Sequence, residues 1–582
     1  MTIRKVLHKT CLAIVMAFLF NGLQGCDPSD KGQFTGPVSG LHYETDSFSG
    51  VTNRKGEFRF RCGESIRFYV GDIFLGETIA AKTISPFDLA GIAPPTANAE
   101  NYLIQHQIVN GIIPPPAMPL KKEGTPFENA VNLAVFLYTI DADMQADNGV
   151  QIPADLHDLT VGLEIDFSSK LLDFIYDEFA FKKLLADGRA QGLWGGSRAI
   201  CNPNIAMDNL YAALELTPDV WAWTSYEIDK NADGVSEFAE FYQYNEDGKM
   251  VLFETDSDGD GTINSATTRG FNENGYIVLS ESDSDNDGTA DSRTTYTRDN
   301  NGLVTLQEDD TDGDGTIDSR STYQYDFYDY EILYEVDDNA DGIPELRITN
   351  AYDDNGNKIF YARDNNADGT PDSTQSFAFD ENGNKTLEEF DNNGDGVIDS
   401  RGTYSYDASG NEILYERDQD ADGIIDSRSI RTYAENGRPI LLERDYNANG
   451  IPDMRETYIY DENGTQTLGI IEITNDTDGT ILSRTTNSFD EFGNLTRNET
   501  ESGPGMAMGS LTIFTYNDFG QLLMVESDDN KDGVMDNHVV NTYDENGCLI
   551  LIERDRDGDG TVDSRTSYTS TPLNRWAPVL DV

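Results

Sequence analysis

The sequence predicts a mainly β protein: a long antiparallel array of β-hairpin repeats, coiled or solenoid-like, preceded by a small β domain and a helical segment. Three observations carry this. A nine-residue acidic pattern recurs every 27 residues from Asp229 onward. Between its copies, residues alternate with the period of two that a half-buried strand requires. Ahead of position 221 the pattern is different, with alternating segments over 36–95 and helical spacing within 96–220.

The acidic pattern starts at Asp229, Asp256, Asp283, Asp310, Asp337, Asp364, Asp391, Asp418 and Asp445, and again at Asp528 and Asp555. The interval from 445 to 528 is three periods plus two residues, so two decayed units fill it, near Thr474 and Glu501. Thirteen 27-residue units then occupy 221–570, and a fixed period of this length marks an array whose units stack on their neighbours.

Each intact copy reads D-x-[DN]-x-[DN]-G-x-x-[DEN]. Calcium takes six to eight hard oxygen ligands at about 2.3–2.6 Å. Carboxylates or amides at positions 1, 3 and 5 of a tight loop converge on one ion. Glycine at position 6 permits the sharp turn that brings the position 7 carbonyl inward, and an acid at position 9 closes the shell. The expected ligand sets are Asp229, Asn231, Asp233 and Glu237; Asp256, Asp258, Asp260 and Asn264; Asp283, Asp285, Asp287 and Asp291; Asp310, Asp312, Asp314 and Asp318; Asp337, Asn339, Asp341 and Glu345; Asp364, Asn366, Asp368 and Asp372; Asp391, Asn393, Asp395 and Asp399; Asp418, Asp420, Asp422 and Asp426; Asp445, Asn447, Asn449 and Asp453; Asp528, Asn530, Asp532 and Asp536; and Asp555, Asp557, Asp559 and Asp563. About eleven Ca²⁺ sites are therefore expected, weaker where Asn264 and Asn449 replace an acid. Position 8 is apolar in ten of the eleven, as at Ile317, Ile398 and Val562, which predicts that it tucks against the sheet.

The loop matches the first nine positions of an EF-hand, but its flanks are strand-like, as in Ser319-Arg320-Ser321-Thr322-Tyr323-Gln324-Tyr325. It resembles instead the calcium hairpins of FG-GAP propeller repeats and thrombospondin type 3 repeats. The rest of the unit is a hairpin: Thr403-Tyr404-Ser405-Tyr406, a glycine turn at Asp407–Asn411, and Glu412-Ile413-Leu414-Tyr415-Glu416. The Tyr-Asp-x-x-Gly-Asn pattern is similar to the YD repeats of Rhs-type proteins, which implies a coiled sheet of hairpins. Aromatics two apart fall on one face, so Tyr296, Tyr323, Phe377 and Tyr404 are expected to ladder as packing. Apolar residues on both faces of the returning strand, as at Ile413 and Leu414, predict that the sheet coils on itself.

The N-terminus reads as an export signal over 1–25: Arg4, Lys5 and Lys9, then the apolar run Cys11–Phe20, too short to span a bilayer. Leu23-Gln24-Gly25-Cys26 resembles the lipobox of bacterial lipoproteins, which implies lipidation of Cys26, a tether over 26–35, and anchoring at an outer membrane or cell surface. The alternating segments over 36–95 are similar to an N-terminal module of bacterial surface lipoproteins. Helices are expected at Phe127–Tyr138, Ser168–Leu185 and Ile205–Leu216, and a tail follows at 571–582. Cys62 and Cys201 are candidates for a disulfide, with connectivity left open; Cys548 reads as a lone thiol.

Of the charged side chains 105 are acidic and 41 basic, a net charge of -64. Nucleic acid is excluded as a partner, because phosphates would be repelled. The five histidines suggest no pairing, and Gly195-Gly196-Ser197-Arg198-Ala199 lacks the second glycine of a nucleophile elbow. The expectation is a calcium-binding, lipid-anchored surface protein with a structural or adhesive role and no enzymatic activity. Its partners are the membrane, through the lipid, and a cell-surface glycan or protein. The alternative is a glycan-binding protein or an enzyme with a site in 96–220.

Overall fold

The computed structural model describes residues 30–95, 124–143, 145, 148–176, 178–194, 198–218, 220–461, 465–490, 493–517, 520–573 and 575–576. The expected export signal and the expected lipidation at Cys26 fall outside these residues.

The chain begins with two small sheets. β1 (Asp30–Phe34) pairs antiparallel with β4 (Glu57–Phe60) and parallel with β7 (Thr83–Ile84). The second sheet runs β3 (Ser49–Val51), β2 (His42–Glu44), β5 (Ser65–Val70), β6 (Ile73–Ile79). Residues 30–34, expected as tether, are thus a strand, with Phe34 fully buried. The turn at Asn53–Gly56 forms, but the strands beside it join different sheets.

Helices follow: α1 (Pro86–Leu89), α2 (Pro126–Thr139), α3 (Leu171–Tyr176), α4 (Phe179–Ala190) and α5 (Pro203–Ala213). A capping box starts α2: Thr125 Oγ1 accepts the Glu128 N–H, and Glu128 Oε2 accepts the Thr125 N–H. The helix expected over Ser168–Leu185 is split between α3 and α4. Sheets and helices share one hydrophobic core, from Phe58 and Phe68 through Phe136 and Phe181 to Tyr211, so the small β domain and the helical segment form one capping unit. Cys201 does not pair with Cys62. Cys201 and Cys548 are buried thiols.

The repeats form a closed barrel of 26 strands, β8 (Trp221–Asp229) through β33 (Ser564–Pro572), each hydrogen-bonded to its sequence neighbours. This is the two strands per unit of thirteen hairpins. The sheet is not the open coil or solenoid expected. Its last strand pairs antiparallel with its first, Thr566 opposite Ile228 and Tyr568 opposite Tyr226, leaving no free edge. The two extra residues of the irregular stretch lengthen the strand Gln466–Thr474 to nine residues.

Consecutive units are tied at both ends. At the turn end, the tyrosine of each Tyr-Asp motif donates its hydroxyl to a carbonyl 21 residues earlier, as Tyr325 to Val304, Tyr406 to Lys385 and Tyr460 to Pro439, at 2.8–2.9 Å. The aspartate closes the turn: Asp407 Oδ1 accepts the Ser409 and Asn411 N–H groups, and Oδ2 accepts Asn411 Nδ2. Aromatics pair across strands, Tyr323 with Tyr334 at 5.0 Å and Tyr404 with Tyr415 at 4.8 Å between centroids. Most barrel side chains are only half-buried, and few large ones besides Leu442, Tyr330 and Tyr458 are fully covered. The ring therefore depends on ladders and polar ties rather than on a dense core.

The capping unit docks on the turn end. The Arg189 guanidinium on α4 pairs with Asp329 Oδ2 at 2.7 Å, with both side chains under a fifth exposed. Asn301 Nδ2 donates to Asp329 Oδ1 at 3.1 Å, Phe179 stacks near Tyr328 and Tyr330, and Lys182 Nζ lies 4.1 Å over the Tyr330 ring. Asp329 holds a left-handed φ of 67° at a turn position where neighbouring units carry Gly275, Gly302 and Gly356. A left-handed non-glycine residue costs about 1–2 kcal/mol, so this turn trades backbone ease for a docking carboxylate. Asp329→Gly is expected to weaken docking by about 1–3 kcal/mol net, with the barrel unchanged. Hydrogen exchange across α4 checks this: faster exchange there and nowhere in the barrel is expected, and unchanged α4 protection would remove the docking role.

Candidate metal centres

The acidic loops lie at the barrel end opposite the docked cap, and all eleven share one backbone. Position 6 glycine is left-handed in each, from Gly234 (φ 91°) to Gly560 (φ 87°). Position 4 is left-handed too, as at Ala232 (56°), Asn286 (54°), Ala421 (53°), Lys531 (59°) and Gly558 (66°). Reading the motif missed that second requirement; its trace in the sequence is that position 4 is Gly, Ala or Asn in ten loops and Lys in one.

Side chains hold this shape by accepting backbone N–H groups. The Gly261 N–H donates to position 1, Asp256 Oδ2, at 2.8 Å, and the Gly396 and Gly560 N–H groups bind Asp391 and Asp555 in the same way. The position 7 N–H donates to position 5, as Thr316 to Asp314 Oδ1 at 2.7 Å. The position 2 N–H donates to position 9, as Thr311 to Asp318 Oδ2 at 2.7 Å and Lys230 to Glu237 Oε2 at 2.6 Å. In most loops the second oxygen of position 1 also accepts a backbone N–H, as Asp256 Oδ1 from Gly259 at 2.7 Å and Asp364 Oδ1 from Asp368 at 3.2 Å.

The acids converge as expected. Oxygens of Asp229, Asp233 and Glu237 lie within 4.8 Å of one another, as do those of Asp256, Asp258 and Asp260; Asp283, Asp285 and Asp291; Asp310, Asp312 and Asp318; and Asp337, Asp341 and Glu345. Position 1 is the buried one: Asp310 is 5% exposed and Asp555 7%, and the Oδ1 atom of each has no hydrogen-bond partner. A buried carboxylate oxygen without a donor is costly, and a hard cation satisfies it. An all-oxygen donor set of this density suits Ca²⁺. Asn264 Oδ1 keeps the position 9 bond, accepting the Ser257 N–H at 2.6 Å. Asn449 turns its amide nitrogen outward to the Asp476 carbonyl at 2.8 Å.

Hydrogen bonding keeps these groups ionised. The Ser284 hydroxyl and N–H hold Asp291 below the usual carboxylate range, and those of Thr311 do the same for Asp318. Burial pushes Asp256, Asp391 and Asp555 up, but backbone N–H donors, led by Gly261, Gly396 and Gly560, outweigh it and the net shift is downward. Position 8 is half-buried, whereas aliphatic residues at position 7 project from the rim, Ile343 at 67% and Ile424 at 68% exposure.

Neighbouring loops touch. A Cβ added to Gly259, Gly313, Gly394 or Gly558, all at position 4, would strike the carbonyl of Ser236, Ala290, Pro371 or Met535, all at position 8 of the preceding loop. Asn286 Nδ2 donates to the Ile263 carbonyl at 3.0 Å in the same place. Beneath the rim runs a ladder not anticipated from the motif. The glutamate two residues before a loop pairs with the arginine ten residues after the loop start, as Glu308 with Arg320, Glu389 with Arg401, Glu416 with Arg428, Glu472 with Arg484 and Glu553 with Arg565. Arg320 Nη1 also donates to the Ala340 carbonyl in the next loop at 3.1 Å. Arg565 does the same to Ala232 across the ring closure. Its signal was the recurrence of Glu and Arg at those offsets.

Two other places were weighed. His42 and His157 stack at 4.9 Å, a pairing the sequence did not suggest. His157 Nδ1 accepts the Gly71 N–H at 2.8 Å, so this imidazole fastens the β5–β6 turn to the segment after α2. Burial and then His42 lower its pKa. A cavity of about 260 Å³ lies between Tyr138, Asp141, Cys201 and Asn209 of the cap and Glu273 and Tyr276 of the barrel. Burial pushes its Cys201 thiol up to about 12, which leaves it a poor nucleophile.

No protein-family model matches the chain, and no curated protein matches it. Among solved structures it is similar to a TcdB2-TccC3-TEV chain, at 14% identity and TM-score 0.30 over 57% of this chain and 20% of that one. It is also similar to a porin-like protein from Bacteroides uniformis ATCC 8492, at 8% identity and TM-score 0.12 over 60% of this chain and 98% of that one. This chain thus spans about a fifth of the length of the TcdB2-TccC3-TEV chain. Both likenesses are too slight to say what this chain does.

Proposed function

We propose that the protein is a calcium-binding, lipid-anchored surface protein whose barrel is stiffened by Ca²⁺ in its rim loops and serves a structural or adhesive role without enzymatic chemistry. The observation that carries this reading is the set of eleven loops sharing one backbone, with acids converging in them and a buried, partnerless position 1 oxygen at Asp310 and Asp555. Charge supports it. At -64, repulsion among rim acids opposes the closed ring, and divalent ions in the loops offset it where it is densest.

The barrel wall bears on placement. A membrane-spanning barrel presents a continuous apolar band to lipid. Here one face carries the Glu–Arg ladder, and the other carries residues such as Ser321, Asp309 and Tyr323. We therefore place the barrel outside the bilayer, held to it through Cys26. Calorimetric titration of the full chain with CaCl₂ tests the calcium reading: about eleven sites at Kd on the order of 10⁻⁴–10⁻³ M are expected, and two or three would reduce most loops to plain turns.

A further inference from the structure

The unit that begins at Glu501 lacks both the acidic loop and the ladder arginine of its neighbours. Its acidic loop is replaced by a short turn around Gly503 and Met506. Its ladder arginine is gone as well, since the residue opposite Glu499 is Leu511. Two carboxylates remain, Glu499 at the ladder position and Glu501 at position 1. Both are contacted by one ammonium from the next loop: Lys531 Nζ lies 2.7 Å from Glu499 Oε1 and 2.6 Å from Glu501 Oε1, while Arg497, on the same strand, pairs with Glu499 Oε2 at 3.0 Å.

Lys531 stands at position 4 of the loop starting at Asp528, where the other ten intact loops carry Gly, Ala or Asn. We propose that Lys531 is a built-in cation that stands in for the calcium ion of the decayed unit and, with Arg497, for its ladder arginine, making this seam of the ring independent of metal. The inference rests on the calcium reading of the intact loops.

The geometry gives position 4 this reach. In every loop with glycine there, a Cβ points into the preceding loop's position 8 carbonyl. The group that extends from position 4 is therefore next to the preceding unit's ion-binding acids. A four-carbon arm from position 4 reaches the preceding unit's carboxylates with its ammonium, as Lys531 reaches Glu499 and Glu501. The backbone accepts the change, because Lys531 has φ 59° and Ala421, at the same position of an intact loop, has φ 53°. Glu499 and the ammonium hold each other charged: the bonds to Glu499 and Glu501 raise Lys531, and Lys531 leads the groups that lower Glu499. One side chain thus decides whether the unit before it needs calcium.

Hydrogen exchange and calorimetry on the full chain test this. In excess EGTA the strands 495–502 and 508–516 of the wild type are expected to keep their protection. Strands beside intact loops, such as 385–391 and 400–406, lose about tenfold or more. Lys531→Gln should expose 495–502 and 508–516 with or without calcium. The transplant Ala421→Lys should bind about one calcium ion fewer and make 385–391 insensitive to EGTA. Wild-type protection of 495–502 in Lys531→Gln, or an unchanged calcium count in Ala421→Lys, overturns the proposal. Absence of calcium binding by the wild type overturns the loop reading instead, and the Lys531→Gln result then reports the ammonium's local role alone.

Discussion

Withdrawing calcium with excess EGTA is expected to lower the melting temperature of the barrel by about 10–30 °C. A site with Kd of about 10⁻⁴–10⁻³ M at about 2 mM free Ca²⁺ stabilises the folded state by roughly 0.6–1.8 kcal/mol. Eleven such sites sum to about 7–20 kcal/mol, as large as the net stability of a typical domain. In a unit this size each kcal/mol moves the midpoint by a degree or two. The dependence should be steep because the barrel has little buried core, and the rim acids repel once the ions leave. The cap has its own continuous core and should melt at nearly the same temperature in both conditions. Calorimetric scans with and without chelator separate the two transitions, and superimposed scans would rule out ion-dependent rigidity.

Trp576→Ala is expected to cost about 3–5 kcal/mol, the usual loss for truncating a buried tryptophan. Trp576 is fully buried, with its ring 5.0 Å from Phe127 and 5.4 Å from Tyr211. Its N–H donates to Asp208 Oδ1 at 3.3 Å. It lies just past the last barrel strand, and the Leu573 N–H bonds the Val220 carbonyl beside the first, so chain entry and exit are clamped together at the cap. The indole Nε1 has no partner, so Trp576→Phe should retain most of the stability. Urea unfolding of the two variants checks this; a loss under about 1 kcal/mol for the alanine variant would mean that the closure holds without this anchor.

Much of the barrel was legible in the chain because its structure is local. The period, the two strands of each unit and the glycine turns are set by residues within one 27-residue repeat, and the structure contains those strands in that order. Closure was not legible. Pairing of Thr566 with Ile228 joins residues from opposite ends of the array, and nothing in either strand differs from its neighbours in a way that names its partner. The same holds for Trp576, which reads as tail and packs as core. In the loops, chemistry showed through ligand type and spacing, whereas the left-handed position 4 shows only across all copies together. Asp329 was visible as a missing turn glycine, yet its meaning required Arg189, 140 residues away. The Cys62–Cys201 pairing left open by the sequence does not form: Cys201 is a buried thiol in the cap core, where its N–H donates to Thr139 Oγ1. The split between α3 and α4 is reported by the structure without an evident local cause.

The most direct measurement is an anomalous difference map from crystals of the full chain grown at saturating calcium. Calcium-loaded loops would give a peak in each of the eleven, about 2.3–2.6 Å from the position 1, 3 and 5 oxygens, strongest at the Asp310 and Asp555 loops. No peak is expected between the Lys531 ammonium and the Glu499 and Glu501 carboxylates. Loops without peaks at saturating calcium would contradict the assignment of the rim as a ring of calcium sites.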